Sequence, residues 1–307
     1  MSATNLALSG LRIGVSGKGG AGKSTTTVLL AKALRSRGYD VCVLDADSTN
    51  VGIHGALGID APPAPLIDYF GGMVFSGGAV TCPVDDPTPL AGAHLKLDEL
   101  PDRYRERSED GIWLLAAGKL GGLGPGAGCD GPINKIARDV TVSAPTSDLV
   151  TIVDFKAGFE DAARGAIVGL DYLLVVVDPT NAAVQMAAHM NRLVEGIRAG
   201  APPATAHLAD PALVELATRA FRHARIREAL VVLNRVRDEA TDHALRDLLG
   251  SSAIEPIAAL REDPLLGARW LGGVGLEGSP VEDDVDLLAS RLEEVAARAS
   301  TAPLSAV

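Results

Sequence analysis

The chain has 307 residues, 47% hydrophobic and 22% charged, a composition that excludes general disorder and supports a sizeable core. Its formal net charge of −11 gives an acidic surface that repels phosphate backbones, so nucleic acid is not an expected partner. No window holds the ~18 uninterrupted apolar residues of a membrane-spanning helix, and the first ten residues lack the features of a secretory signal. The three cysteines are far apart and form no CxxC pair. We therefore expect a cytoplasmic globular protein with reduced thiols and no membrane partner.

Short apolar runs alternate with helical patterns along the chain. The runs are typical of buried strands, and the segments between them place apolar residues at helical spacing. This alternation predicts one α/β domain over residues 1–307, with a doubly wound, mostly parallel sheet and helices on both faces. Residues 60–110, rich in Pro, Gly and Asp, are expected to form an irregular insertion or lid. Strands are predicted at 11–16, 41–45, 112–118, 149–154, 171–178, 228–234 and 253–257, and helices at 23–37, 132–143, 181–198, 211–226, 238–249 and 282–299.

The first predicted strand ends in a glycine-rich loop that opens a helix. Its sequence, GKGGAGKST, satisfies the pattern G-x-x-x-x-G-K-[ST]. Glycines let consecutive N–H groups point at phosphate oxygens, and the start of the helix adds its dipole. Lys23 is expected to reach the β- and γ-phosphates, and Ser24 to ligate Mg²⁺. The sequence therefore predicts a site for ATP or ADP formed by Gly17, Gly19, Gly20, Ala21, Gly22, Lys23, Ser24 and Thr25.

A second lysine, Lys18, follows the first glycine of this loop. The resulting GKGGxGKST resembles the deviant Walker A loop of an ATPase family that includes MinD, ParA, the nitrogenase iron protein and the carbon-monoxide-dehydrogenase nickel-insertion ATPase. In that family the extra lysine crosses a dimer interface to the partner's nucleotide. The resemblance implies that Lys18 is catalytic and that the chain acts as an ATP-dependent homodimer.

Two later strand ends are similar to the family's switch segments. The match at switch I implies that Asp47 positions the attacking water and that Asp45 supports the Mg²⁺ shell, although Asp47 could instead cap the next turn. The stretch DFKAG resembles switch II, so that Asp154 would hold Mg²⁺ through water and Gly158 would offer its N–H to the γ-phosphate. Lys156 replaces the small or apolar residue of the family pattern, and the sequence does not indicate its role.

Two further positions are similar to the family's adenine pocket. Asn234 ends a predicted strand where the family places an asparagine on the adenine edge, and its amide offers both a donor and an acceptor. Pro256 begins PIAALRE, which matches the loop that flanks adenine on its other side. The resemblance therefore covers most of the chain, from residue 11 to residue 262.

Cys129 lies in a glycine-rich loop, GGLGPGAGCDGP, just before a predicted helix. The iron protein has a similar loop that ligates its [4Fe–4S] cluster, and the nickel-insertion ATPase has a C-x-C nearby. By dimer symmetry, two Cys129 thiolates would face each other and could bind Ni or Zn at the interface. The alternative is a cysteine that only packs beside the loop. Asp161 stands where the iron protein has its second cysteine, which counts against an iron–sulfur cluster.

These resemblances favour a Mg·ATP-dependent dimeric switch ATPase that serves as a maturation factor for a client metalloenzyme. One alternative is a positioning ATPase of the MinD or ParA type, whose basic surface would be the arginine-rich helix around residues 219–227. The other alternative is a reductase component similar to the iron protein. The last helix is acidic, which argues against membrane binding, and its predicted inner stripe is Leu287, Leu288, Leu292 and Val295.

Overall fold

The computed structural model describes residues 6–119, 129–144 and 149–301. Strands and helices alternate through these ranges, as the apolar runs predict. The described strands are β1 (Arg12–Gly17), β2 (Val41–Ala46), β3 (His94–Lys96), β4 (Glu106–Arg107), β5 (Trp113–Ala116), β6 (Thr141–Ser143), β7 (Val150–Phe155), β8 (Tyr172–Val177), β9 (Glu228–Val236) and β10 (Ala258–Arg261). The described α-helices are α1 (Lys23–Ser36), α2 (Ile53–Ala56), α3 (Leu66–Tyr69), α4 (Gly131–Asp139), α5 (Glu160–Ala163), α6 (Asn181–Arg198), α7 (Pro211–Arg222), α8 (Glu239–Gly250), α9 (Pro264–Gly272) and α10 (Val281–Thr301).

Eight of the described strands form one twisted sheet in the order β10-β9-β8-β1-β7-β2-β5-β4. Every neighbouring pair in it is parallel except β4 and β5, so the prediction of a mostly parallel sheet is confirmed. Parallel strands present their carboxyl ends at one edge of a sheet. The ends of β1, β7 and β2 therefore lie side by side, and the loops that follow them meet there.

Two hydrophobic clusters cover the two faces of this sheet. Successive residues of a strand point to opposite faces, so Val43 packs with α1 and α10 while Leu44 packs with α4 and α6. Strands β1, β2, β7 and β8 are buried along their whole length. This burial explains why they read in the sequence as unbroken apolar runs rather than as alternating patterns.

Three predicted elements are wrong in their bounds: the strand at 253–257 and the helices at 132–143 and 211–226, the last of which ends at Arg222. Four described helices, α2, α3, α5 and α9, lie where no helix was predicted. The strand predicted at 253–257 begins instead at Ala258, because Ala253 sits in a turn with φ of 55° and Pro256 has no N–H to donate. Helix α4 ends at Asp139, since the β-branched residues that follow form β6 and pair with β3. The longest of the unpredicted helices is α9. Asp263 caps its first turn, and the Asp263 side chain accepts a hydrogen bond from the N–H of Leu265 at 2.9 Å.

Residues 60–110 pack into the body of the protein. They contribute α3, β3, β4 and buried apolar side chains to the cluster on the α4 face. Leu66, Leu97 and Tyr104 are among these buried side chains. In the described conformation the segment therefore contributes to the core on the α4 face of the sheet.

Candidate functional site

The glycine-rich loop joins β1 to α1 at the carboxyl edge of the sheet. Its backbone turns through left-handed conformations, with φ of 78° at Gly20 and 97° at Gly22. A Cβ at Gly22 would lie 2.0 Å from Nδ2 of Asn234, so only glycine fits there. Helix α1 then begins at Lys23, which points the free N–H groups of its first turn toward the loop. This is the backbone geometry that an anion-binding loop requires.

Lys23 is buried beneath the loop, and its Nζ donates to the carbonyl oxygen of Lys18 at 3.4 Å. Burial lowers the pKa of Lys23, while the charges of Asp154, Asp47 and Asp161 oppose that shift. Its ammonium therefore lies among carboxylates, at the position from which it can meet a phosphate. Lys18 itself is only half-buried, and its side chain makes no ion pair within the described ranges.

Asp154 and Asp45 form a pair of buried carboxylates below the loop. They occupy facing positions on the neighbouring strands β7 and β2. Asp154 accepts hydrogen bonds from Oγ of Ser24 at 2.7 Å and Oγ1 of Thr27 at 3.1 Å. Burial raises the pKa of Asp154 to about 7, and the charge of Asp45 adds to the effect. Carboxylate and hydroxyl oxygens are the ligands that Mg²⁺ prefers, so Ser24, Asp45 and Asp154 fit a magnesium site.

Lys119 is a functional candidate that the sequence analysis missed. Its Nζ donates to Oδ2 of Asp45 at 2.6 Å, to the carbonyl oxygen of Asp47 at 2.5 Å and to the carbonyl oxygen of Asn50. Burial raises the pKa of Asp45 to about 6, with the Lys119 charge opposing that rise. One lysine thus neutralises the buried carboxylate and fastens the loop after β2. Lys119 follows a strand end, and that position was the one sequence signal available.

The loop after β2 corresponds to the predicted switch I. Oδ1 of Asp47 accepts from the N–H of Thr49 at 2.9 Å, from its hydroxyl at 2.7 Å and from the N–H of Asn50 at 3.2 Å. Burial alone would raise the pKa of Asp47, but these bonds and the Lys119 charge lower it on balance. In the described conformation Asp47 therefore caps its own turn. Asn50, also missed in the sequence, donates from Nδ2 to Oγ of Ser24 at 2.8 Å.

The predicted switch II follows β7. The N–H of Gly158 donates to the carbonyl oxygen of Gly17 at 3.2 Å, which places it against the glycine-rich loop. Lys156, whose role the sequence left open, donates from Nζ to Oδ2 of Asp130 at 2.6 Å. Asp161 accepts from Nδ2 of Asn134 at 2.9 Å, and burial raises its pKa to about 6. Switch II is thus linked both to the glycine-rich loop of residues 17–25, the P-loop, and to the start of α4.

The two predicted adenine residues do not lie together. Asn234, near the end of β9, reaches the loop and donates from Nδ2 to the carbonyl oxygen of Ala21 at 2.7 Å. Pro256 precedes β10 and therefore lies toward the opposite, amino-terminal edge of the parallel sheet. The structure does not bring Pro256 to this site. The segment that does follow β10 at the carboxyl edge begins at Glu262, and Trp270 from α9 donates to Oγ1 of Thr25 at 2.8 Å.

The three cysteines differ in their surroundings. Cys42 is buried in β2, as expected of a core residue, and burial raises its pKa to about 12. Cys82 is half-buried, and a Cβ at Gly131 would lie 2.7 Å from its Sγ. Cys129 is exposed, and residues 121–128 of its loop lie outside the described residues. Within the described ranges no three or more His, Cys, Asp and Glu side chains gather into a possible metal site.

The arginine-rich stretch is not the single basic helix that the sequence suggested. Helix α7 ends at Arg222. Beyond it, Arg225 and Arg227 lie 2.9 Å and 3.6 Å from the carboxylate oxygens of the buried Asp171. Arg219 lies 3.6 Å from Glu215 within the helix. Three of the basic side chains are therefore paired with acids, which weakens the case for a phosphate-binding surface there.

Helix α10 packs against α1 and β10. Leu288 and Leu292 are buried and Val295 packs against their cluster, but Leu287 is half-exposed, so one member of the predicted inner stripe is wrong. Leu287 immediately precedes Leu288, and adjacent helical residues point about 100° apart. In the part of the chain that the structure describes, no helix is long and apolar enough to span a bilayer.

The chain is similar in sequence and in fold to known nucleotide-binding proteins. The family model of the CobQ/CobB/MinD/ParA nucleotide binding domain matches residues 13–268. An uncharacterized ATP-binding protein of Methanocaldococcus jannaschii is 34% identical over 187 residues, covering 60% of this chain and 74% of that protein. The carbon monoxide dehydrogenase accessory protein CooC of Rhodospirillum rubrum is 28% identical over 192 residues, covering 61% of this chain and 70% of CooC. A chain of the MinC:MinD cell division protein complex of Aquifex aeolicus has the same fold, with a TM-score of 0.58 at 18% identity and coverage of 96% and 98%.

Proposed function

Because this chain belongs to the CobQ/CobB/MinD/ParA nucleotide-binding family, we propose that it is a dimeric, Mg·ATP-dependent switch ATPase that helps a client metalloenzyme to mature. One observation supports the ATPase part above all others. The hydroxyl of Ser24 donates to Asp154 at 2.7 Å and accepts from Asn50 at 2.8 Å. A single P-loop side chain thus touches both segments that would respond to a γ-phosphate.

Phosphate binding follows from the loop and the lysine beneath it. The N–H groups at the start of α1 and the ammonium of Lys23 would hold the phosphate oxygens. Ser24 would hold Mg²⁺ directly, and Asp154 would hold it through water. The bound ion would neutralise part of the negative charge of the phosphates. Ser24 and Asp154 already lie within hydrogen-bond distance of each other, so little rearrangement is needed.

Hydrolysis requires Asp47 to leave its cap. Released from Thr49 and Asn50, its carboxylate could accept a hydrogen bond from the attacking water and orient it. Phosphoryl transfer depends on positioning more than on a strong base, so a carboxylate in line with the γ-phosphate is sufficient. Gly158 would exchange the carbonyl oxygen of Gly17 for a γ-phosphate oxygen. Lys18, half-buried at the rim, would reach the nucleotide of the second subunit.

The maturation role rests on relatedness and on Cys129. CooC is named as an accessory protein of carbon monoxide dehydrogenase, and this chain matches 70% of its length. Cys129 is an exposed thiol one residue from Asp130, which contacts switch II. The described residues of one subunit do not fit a transition-metal centre, since no three His, Cys, Asp or Glu side chains gather among them. The Ni or Zn site proposed at Cys129 needs the thiolates of both subunits.

Two alternatives are less well supported. A positioning ATPase of the MinD or ParA type shares the fold, but the arginine-rich stretch is largely paired and α10 packs on the body. A reductase similar to the iron protein needs a second cluster cysteine, and Asp161, which takes its place, bonds to Asn134. The proposed location is the cytoplasm, in keeping with three free cysteines.

The maturation role predicts nucleotide-dependent metal binding by the dimer. Protein purified without oxygen should bind about one Ni²⁺ or Zn²⁺ per dimer, as the two-fold symmetry of a shared site requires. Mg·ATP should change the affinity, Cys129→Ser should abolish binding and Cys42→Ser should leave it unchanged. Metal content by mass spectrometry and titration calorimetry provide the measurement. Bound iron with sulfide would favour the reductase, and no metal in any state would contradict the maturation role and favour the positioning ATPase.

A further inference from the structure

Asp130 joins the Cys129 loop to both switch segments. Its Oδ1 accepts a hydrogen bond from Oγ of Ser48, the residue after Asp47 in switch I. Its Oδ2 accepts from Nζ of Lys156 in switch II at 2.6 Å. These two donors come from loops that lie 82 and 26 residues away along the chain. A single carboxylate therefore bridges three segments that have no sequence proximity.

A second link fastens the same part of α4. One turn after Asp130, Asn134 is buried and donates to Asp161 at 2.9 Å. Its own N–H donates to the carbonyl oxygen of Asp130 at 2.8 Å, which fixes the first turn of the helix. Buried hydrogen bonds of this kind are costly to break without replacement. The start of α4 is thus fastened to switch II at a second point, through Asp161.

The contacts that Asp130 makes are with segments that ATP would displace. Asp47 now caps its own turn, and Gly158 now donates to Gly17. To act on a γ-phosphate, both groups would have to turn toward the nucleotide. Ser48 directly follows Asp47, and Lys156 lies two residues before Gly158. If Asp47 and Gly158 turn, these neighbours move with them and the two bonds to Asp130 change.

We propose that Asp130 is a positioning residue that transmits the nucleotide state of the P-loop to Cys129. The proposal rests on the proposed function, since it needs ATP to bind and to move the switches. It assigns a role to Lys156, the residue that departs from the family's switch II pattern. Asp130 accepts from Ser48 of switch I and from Lys156 of switch II. Cys129, the residue before it, would therefore respond to both switches.

Alkylation of Cys129 by iodoacetamide tests this coupling in the full-length protein. Cys129 is exposed, whereas Cys42 is buried and Cys82 half-buried, so mass spectrometry of the modified peptides can follow each thiol separately. In the wild type the rate at Cys129 should differ at least ~5-fold between Mg·ADP and a non-hydrolysable Mg·ATP analogue, the lower end of usual allosteric coupling. In Asp130→Asn this ratio should fall to within ~2-fold of one. Asparagine keeps the size of the side chain and its suitability at a helix start.

Two further variants make the result specific. Lys156→Met removes one bond and leaves Ser48, so the ratio should fall between those of the wild type and Asp130→Asn. Glu160→Gln makes the same carboxylate-to-amide change at an exposed position in the first turn of α5, and it should keep the wild-type ratio. Nucleotide binding and thermal unfolding of each variant are measured in the same samples. These measurements show whether a lost ratio reflects lost ATP binding or a lost fold.

The outcomes separate the coupling from the ATPase itself. A wild type that binds neither nucleotide contradicts the proposed function. A wild type that binds both but alkylates at equal rates contradicts the coupling alone. An Asp130→Asn variant that binds nucleotide and keeps the wild-type ratio also overturns the proposal, because the loop would then be coupled through other contacts.

Discussion

Replacing Lys23 by alanine should reduce kcat/KM for ATP hydrolysis by at least about 10³-fold, the scale on which a cationic clamp stabilises a transferring phosphoryl group. The side chain is buried at the start of α1 among Asp154, Asp47 and Asp161. Removing it takes away a buried cation that is placed to offset both those carboxylates and the incoming phosphates. Phosphate release at saturating and subsaturating Mg·ATP measures the change in kcat and in KM.

Lys32→Ala is the matched control for this substitution. Lys32 lies on the same helix, and its Nζ is 3.3 Å from Asp110 at the far end from the P-loop. The same loss of a lysine there removes a partly exposed ion pair, worth at most about 1 kcal/mol of stability. Activity of Lys32→Ala should match the wild type. Wild-type turnover by Lys23→Ala would contradict the assignment of the P-loop.

Asp154→Asn should stabilise the nucleotide-free protein increasingly as the pH rises. Burial raises the pKa of Asp154 from 3.8 to about 7, so protonation is easier in the folded than in the unfolded state. The carboxyl group of Asp154 therefore contributes stability to the folded protein that is fully present below pH 4 and is lost as the pH rises through 7. Asparagine at this position cannot ionise, so the variant does not lose stability in this way as the pH rises. The free energy of unfolding of the variant minus that of the wild type should therefore grow by about 2–4 kcal/mol between pH 4 and 8.

Urea unfolding in EDTA at several pH values measures this difference. Asparagine still offers an oxygen to Ser24 and Thr27, so the hydrogen bonds to Asp154 are partly preserved in the variant. Asp247→Asn serves as the control, since it makes the same carboxylate-to-amide change at an exposed position on α8. A pH-independent difference for Asp154→Asn would show that this carboxylate is not held in the buried state described here.

The P-loop and the sheet could be predicted from the sequence because their signals are local. The loop motif needs eight consecutive residues, and strands buried on both faces appear as apolar runs wherever they occur. Asp45 and Asp154 could be assigned because their strand ends resemble the family's two switch segments, and the structure places them at facing positions on β2 and β7. Nothing in this reasoning required knowledge of how distant loops pack.

The network around these carboxylates could not be predicted, because it depends on side chains from separate loops. Lys119 reaches Asp45 across 74 residues, and Ser48 reaches Asp130 across 82. No periodicity or spacing links such pairs. Pro256 was expected beside the nucleotide, at the carboxyl edge of the sheet. It lies toward the opposite edge, because the strand after it begins later than the apolar run suggested. The arginine-rich stretch looked basic because its acidic partner, Asp171, lies far away in sequence.

Molar mass by light scattering as a function of nucleotide tests the dimeric switch most directly. Asp47→Asn should slow hydrolysis at least about 10²-fold and so hold the ATP-bound state. With Mg·ATP this variant should double its molar mass, with Mg·ADP it should remain a monomer, and adding Lys18→Ala should prevent the doubling. A protein that stays monomeric in Mg·ATP at concentrations where the nucleotide is bound, or that is dimeric whatever nucleotide is present, would contradict the account.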